Sequence, residues 1–300
     1  MFLRFICSWL LLMFVKEFAP TNNSSFVSER IIRARTIFIA DDALTQHTAN
    51  VGVRKSVSTI VKQIRRADYE GDRPGLKRLY EDLSPFADDE QIGAQVRYWR
   101  GFALWRRAFN GGNESANDLE QDLAVALTEF EKASVKDPKF VDAKIAAASC
   151  LQNISALRYM GNDLPSAREF MQKSFPLLKE AEVAEPDNPR LLWILGAYRF
   201  YNPPERGGGQ AFAIETYEKG LQAARRQKSD TNDILVPSWG EPELLMSLAF
   251  STLNEKTPDL AAADRYAQQA LVLVPYWHYV RDLLVPQIRK ASADRQMDRL

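Results

Sequence analysis

Trp239, Glu241, Glu243, Trp277, His278 and Arg281 are the residues whose types and grouping suit them to hold a ligand. Two indoles offer broad apolar faces with one N–H each, and the carboxylates, imidazole and guanidinium beside them offer polar contacts, the mixture found at binding anchors. Ser238-Trp239-Gly240-Glu241-Pro242-Glu243 also reads as a helix start, with acids in the first turn where the helix dipole stabilises them. Capping and packing therefore compete with binding for the same side chains. Catalytic patterns are weaker. The chain has two histidines, His47 and His278, and neither has a second His or Cys at metal-ligand spacing. It has no Gly-x-Ser-x-Gly elbow, and no histidine is expected in the same unit as Cys150. Acid clusters such as Asp88, Asp89 and Glu90 sit where capping accounts for them. The expectation is a protein that is not an enzyme, with no catalytic residues, cofactor or metal.

Two further stretches were weighed for chemistry. Residues 202–210, Asn-Pro-Pro-Glu-Arg-Gly-Gly-Gly-Gln, could present backbone N–H groups to an anion. No strand precedes them and no Gly-Lys-Ser/Thr follows, so a turn between helices is the better reading. Residues 98–109 carry Trp99, Phe102, Leu104, Trp105 and Phe109 and leave hardly a polar face, which predicts a helix buried on two sides. Arg97, Arg100, Arg106 and Arg107 should mark what remains exposed, salt-bridged to Glu114, Asp118, Glu120 and Asp122.

The elements that must position these residues follow from a repeated pattern. Ala126, Phe130, Ala133 and Pro138 recur as Ser174, Leu178, Ala181 and Pro186, as Ala213, Tyr217 and Gly220 without the proline, and as Ala263, Ala267, Ala270 and Pro275. Small, bulky, small and proline at these spacings suit the second helix of a pair that packs closely on its partner and on the next pair. The order resembles that of the tetratricopeptide repeat over roughly residues 94–275. Leu195-Gly196 and Leu248-Ala249 stand where that family places its Leu-Gly pair. The fold class expected is all-α, a tetratricopeptide-like helical-hairpin solenoid of about four helix pairs plus capping helices. Successive units lie 48, 39 and 50 residues apart (174−126, 213−174, 263−213), against about 34 in the ordinary repeat, so each unit is lengthened.

Helical periodicity runs from Val53 onward. Val57, Ile60, Val61 and Ile64 lead to Glu70-Gly71-Asp72, a helix stop and a fresh start, and Leu76, Leu79, Tyr80 and Leu83 form a second short helix closed by Pro85. The four pairs are expected at 91–109 with 118–135, 140–160 with 165–184, 189–201 with 210–226, and 242–253 with 260–274, and a closing helix at 279–291. Turns inside pairs should line one edge and turns between pairs the other. That places Trp239 near Trp277.

Lys plus Arg and Asp plus Glu both total 39, so no basic excess points to nucleic acid. Arg4 and the apolar run 5–15 resemble a secretory signal, and eleven apolar residues are too few to span a bilayer. Residues 1–20 are thus expected to be a signal peptide or anchor, 21–52 a linker or irregular segment, and 53–300 the solenoid. The compartment expected is the periplasm or a membrane-anchored place in the cell envelope, with the cytoplasm if the leader is no signal, and membrane contact only through the N-terminal segment. Asn188-Pro189-Arg190-Leu191-Leu192-Trp193, residues 237–246 and residues 274–282 resemble signatures of a bacterial family of exported tetratricopeptide-like proteins with no assigned activity. The reading that follows is a protein- or peptide-binding scaffold of the envelope, with a partner segment in the concave groove. The alternative is a helical component associated with a transport system that binds a small solute near Trp239 and Trp277.

Overall fold

The computed structural model describes residues 40–111, 115–227 and 233–297. The leader and most of the expected linker lie outside the described residues. Eleven α-helices follow one another with no strand among the described residues: α1 Ala40–Glu70, α2 Arg73–Asp82, α3 Gly93–Phe109, α4 Ala116–Lys136, α5 Val141–Met160, α6 Leu164–Ala184, α7 Pro189–Tyr201, α8 Gln210–Gln227, α9 Glu241–Leu253, α10 Leu260–Leu273 and α11 Val285–Met297. A π-helical turn, Val280–Leu284, leads into α11. No described helix is long and apolar enough to cross a membrane.

Helix starts follow side-chain chemistry. Asp72, Ser115, Asp163, Asn188 and Asp259 each accept a hydrogen bond from a backbone N–H in the first turn of α2, α4, α6, α7 and α10, satisfying donors that have no partner within the helix. α1 begins at Ala40, well before the apolar period that starts at Val53, so part of the expected linker is helical.

Consecutive helices pack as pairs, α3 with α4, α5 with α6, α7 with α8 and α9 with α10, in a helical solenoid. Its two layers differ in burial. Sixteen of the twenty residues of α5 are buried, but only four of the 21 in α6, so the first helix of each pair is inner and the second outer. The four-position pattern forms the seam between layers. Ala126, Phe130 and Ala133 have no exposed surface, nor do Ala263, Ala267 and Ala270. Gly101 of α3 lies under the Phe130 ring, where a Cβ would come within 2.8 Å, and Gly196 of α7 lies in the same way under the Tyr217 ring. A larger residue there would push the layers apart.

The edges alternate as the pairing requires. Arg73 at the start of α2 donates to the Arg107 carbonyl at the end of α3, and Gln210 donates to the Asn254 carbonyl, joining turns inside successive pairs. On the other edge Asn188 donates to Asp142, and Lys219 pairs with Asp187.

The added length goes to two places. α4, α5 and α6 are long helices of 21, 20 and 21 residues. The other addition lies between α8 and α9. Four residues suffice between α4 and α5 (137–140) and between α6 and α7 (185–188), whereas 13 separate α8 from α9 (228–240).

Candidate functional site

Inner helices of non-adjacent pairs meet, so the concave side of the solenoid is packed. Trp105 of α3 lies 6.1 Å, ring centre to ring centre, from Trp193 of α7, and Phe109 lies 6.2 Å from the same indole. The Trp193 indole N–H donates to Ser247 of α9 at 2.9 Å. Tyr98, Trp99, Phe102 and Trp105 are all buried. The groove expected along the first helices is therefore an interior, filled mainly by large aromatic side chains.

The described part of the long connection, residues 233–240, runs through this interior as a strap. Leu235, Pro237 and Trp239 are buried, with Ile234, Val236 and Ser238 half-buried between and beside them. Trp239 packs against Phe102, Trp105 and Trp193 at 5.5–5.7 Å. Polar contacts complete the seating. The Trp99 indole donates to the Leu235 carbonyl at 2.9 Å, the Trp239 indole donates to the Tyr98 hydroxyl at 2.8 Å, and Arg190 reaches the Trp239 carbonyl at 3.5 Å. Asp233 at the outer end pairs with Arg54 of α1.

Glu243 lies one turn into α9. Its carboxylate accepts the Gly240 backbone N–H at 3.1 Å, as an acid in a first helical turn is expected to do, and it also accepts the Tyr69 hydroxyl at 2.8 Å. Arg106 of α3 stands 3.9 Å away and donates to Asp68 of α1 at 2.8 Å. Asn110 adds a second donor to Asp68. Burial raises the Glu243 carboxyl above its ordinary range, with Arg106 opposing the shift, and burial followed by Glu243 raises the Tyr69 phenol. Burial works against the charge on Arg106, but Asp68 and Glu243 outweigh it and its affinity for its proton is strengthened. Arg106 serves Asp68 first, since that contact is more than 1 Å shorter. Burial therefore outweighs Arg106 at Glu243, and the shift is upward.

The remaining sequence candidates separate. Trp277 is buried and packs edge-on against Tyr69, 5.0 Å between ring centres, so it adjoins Glu243 through Tyr69, while Trp239 faces α3 and α7. His278 is half-buried with its Nδ1 3.0 Å from the Tyr69 carbonyl. Glu241 bonds Arg225 across the edge, and Arg281 pairs with its neighbour Asp282 in solvent. The six are thus spread from the interior, with Trp239 and Glu243, through the contact of Trp277 and His278 with Tyr69, to the edge at Glu241 and solvent at Arg281.

The arginines of α3 depart from the expected exposed stripe. Arg100 and Arg106 are buried. Their partners come from other helices: Glu129 of α4 takes Arg97 at 2.9 Å and Arg100 at 3.0 Å, Asp68 takes Arg106, and of the expected acids Asp122 holds Arg107 at 2.5 Å. A helix without a polar face leaves its guanidinium groups nowhere to go but inward, and a buried charge persists only if paired. Every buried carboxylate among the described residues, Asp68, Asp122, Glu129, Asp142 and Glu243, faces an arginine in this way.

Comparison with protein-family models, with curated proteins and with solved structures finds no match to this chain. The chemistry of the site therefore rests on its own geometry. No group of three or more His, Cys, Asp or Glu among the described residues is placed to hold a metal ion, and Cys150 is a buried thiol within α5. The glycine-rich stretch forms a short 3-10 turn, Pro204–Arg206, after which the Gly209 N–H bonds the Arg199 carbonyl at the end of α7. Sequence reasoning singled out Trp239 and Glu243, placed Tyr98 in a buried helix and Arg106 on its exposed side, and missed Asp68, Tyr69 and Leu235. The available signal was Arg106 itself, a charge in a helix with no polar side.

Proposed function

We propose that this chain is a non-enzymatic protein- or peptide-binding scaffold of the tetratricopeptide kind, acting in the cell envelope. The observation that carries the reading is the seating of residues 233–240. A non-helical stretch of polypeptide, turned at 233–236 where the Val236 N–H bonds the Asp233 carbonyl, lies against inner helices, with Leu235, Pro237 and Trp239 buried and the Leu235 and Trp239 carbonyls gripped by the Trp99 indole and the Arg190 guanidinium. A surface that holds one piece of chain in this manner has the equipment to hold another, because side-chain donors to carbonyls fix a backbone while apolar bays select side chains. The locked charges favour binding over catalysis. A general acid or base needs a proton it can exchange near working pH and access to a reacting group, whereas the buried carboxylates here each face an arginine and, in the case of Glu243, a tyrosine. The envelope compartment rests on the apolar run 5–15.

The test uses the full chain with a photo-crosslinking phenylalanine analogue at Ile234 or Val236, half-buried beside the inner face, or at Val135, Val183 or Val272, three valines on outer helices that are more than 70% exposed. Irradiation in envelope extract should give a discrete protein adduct from the first set and none from the second. Adducts from the outer valines alone would move the binding surface to the convex side. The absence of any adduct from a folded chain would remove the scaffold reading.

A further inference from the structure

We propose that the inner face of α3 and α7 recognises a non-helical segment bearing an aliphatic residue and a tryptophan four positions apart, that residues 233–240 occupy it in cis, and that a partner segment of this chemistry displaces them. The inference rests on the scaffold reading and adds to it the identity of the ligand class and the reason the surface is covered in this structure.

Three observations carry it. The first is surplus length. The connections 137–140 and 185–188 join neighbouring pairs with four residues, so the 13 of 228–240 exceed that need by nine (13 − 4). The second is that the third and fourth pairs also meet through contacts that bypass the strap. α9 packs directly on α8 and on α7, and Gly220 of α8 approaches both Leu192 and Leu244, so the third and fourth pairs already share a seam of their own. The third is the manner of contact. The strap is neither helix nor strand, and what holds it are general grips on its carbonyls combined with two selective features. Tyr98 offers its hydroxyl oxygen to an indole N–H at 2.8 Å inside a bay of Phe102, Trp105 and Trp193, a feature that suits tryptophan over other aromatic residues. Leu235 has no exposed surface, and its carbonyl is the acceptor of the Trp99 indole. Arg54 completes the site with a charge that favours an acid two positions before the aliphatic residue.

Covalent attachment keeps the strap at high effective concentration, so a partner with the same anchors competes at a disadvantage until the strap is weakened. The experiment uses a fluorescent peptide with the sequence of residues 233–240, Asp-Ile-Leu-Val-Pro-Ser-Trp-Gly, and the full chain as wild type and as the double variant Leu235→Ala, Trp239→Ala. The variant should bind the peptide saturably and at least about tenfold more tightly than the wild type, whose surface is filled. A peptide with its Leu and Trp replaced by Ala should lose that binding. A folded variant that ignores the peptide, or binds both peptides alike, overturns the proposal. A variant that fails to fold overturns it too, since the strap is then an integral part of the core. A gentler change gives a second readout: Trp99→Phe keeps the ring and removes the donor, and should speed amide exchange in residues 233–240 while leaving α3 and α7 protected. Equal acceleration in all three would mean the strap moves with the core and would overturn the proposal. Crosslinked adducts at Ile234 or Val236 together with a failed peptide assay would leave the scaffold reading standing and remove only this inference.

Discussion

The two layers of the solenoid, made from helices of similar length, do different things with their side chains. α5 buries most of its surface, polar residues such as Ser149, Gln152, Asn153 and Ser155 included, while its partner α6 buries only Ala167, Ser174, Leu178 and Ala181. The repeated small-bulky-small pattern belongs to the outer layer and states only how that layer lies on the inner one. The inner helices carry no repeating pattern: α3 brings tryptophans and arginines, α5 small polar residues, α7 Trp193, and α9 Glu243. A repeat can thus be regular in architecture and irregular in content, because the seam between layers and the interior are under separate constraints.

Substitutions across the two layers should show this contrast. The largest effect is expected in the interior. Arg106→Ala leaves Asp68 and Glu243 buried beside a lost cation and should cost about 3–5 kcal/mol in urea unfolding. A cost below about 1 kcal/mol would mean that water replaces the guanidinium and that the interior is open after all. The seam comes next. Gly196→Ala drives a methyl into the Tyr217 ring, and overpacking of this kind should cost about 1–3 kcal/mol. An intermediate effect is expected from titration of Glu243. Its carboxyl is raised above 4.5 in the folded chain, so the stability from its neutral form is full below the unfolded value and is lost as pH rises through the folded one. Glu243→Gln fixes a neutral side chain, and the stability of wild type relative to that variant should decline with rising pH above about 4.5. A difference that stays flat would place the Glu243 proton equilibrium under the control of Arg106. The smallest effect belongs to the outer surface, where Val183→Ala at a side chain 74% exposed should stay within about 0.5 kcal/mol.

The fold was legible in the sequence because the seam is local. Ala126, Phe130, Ala133 and Pro138 lie within one helix and its exit, and the helix bounds read from capping residues and prolines agree with those of α7 and fall within about two residues for its neighbours. The site was less legible because its contacts join residues far apart in the chain. Asp68 meets Arg106, Tyr69 meets Glu243 and Tyr98 meets Trp239, with intervals of 38, 174 and 141 residues. A chain with zero net charge gives no hint which of its 39 cations are buried. Trp239 was marked for its type and turned out to matter as a buried anchor of the strap. The inward path of residues 233–240 was announced only by the short run Ile234-Leu235-Val236-Pro237 and Trp239, and a few apolar residues in a turn-rich stretch also fit a surface loop.

The junction between Tyr69 and the segment 276–278 alters how the whole array should melt. A linear stack loses its end units first, each held by one neighbour. Here Arg66 lies over the Tyr276 ring at 5.3 Å, Trp277 covers Tyr69, and His278 faces the Tyr69 carbonyl, so the first helix and the last connection hold each other. The end of α1 and the connection before α11 cannot part without breaking these contacts. Unfolding should therefore be a single sharp transition instead of a stepwise unzipping, and deleting α11 together with the segment before it would loosen α1, at the opposite end of the chain.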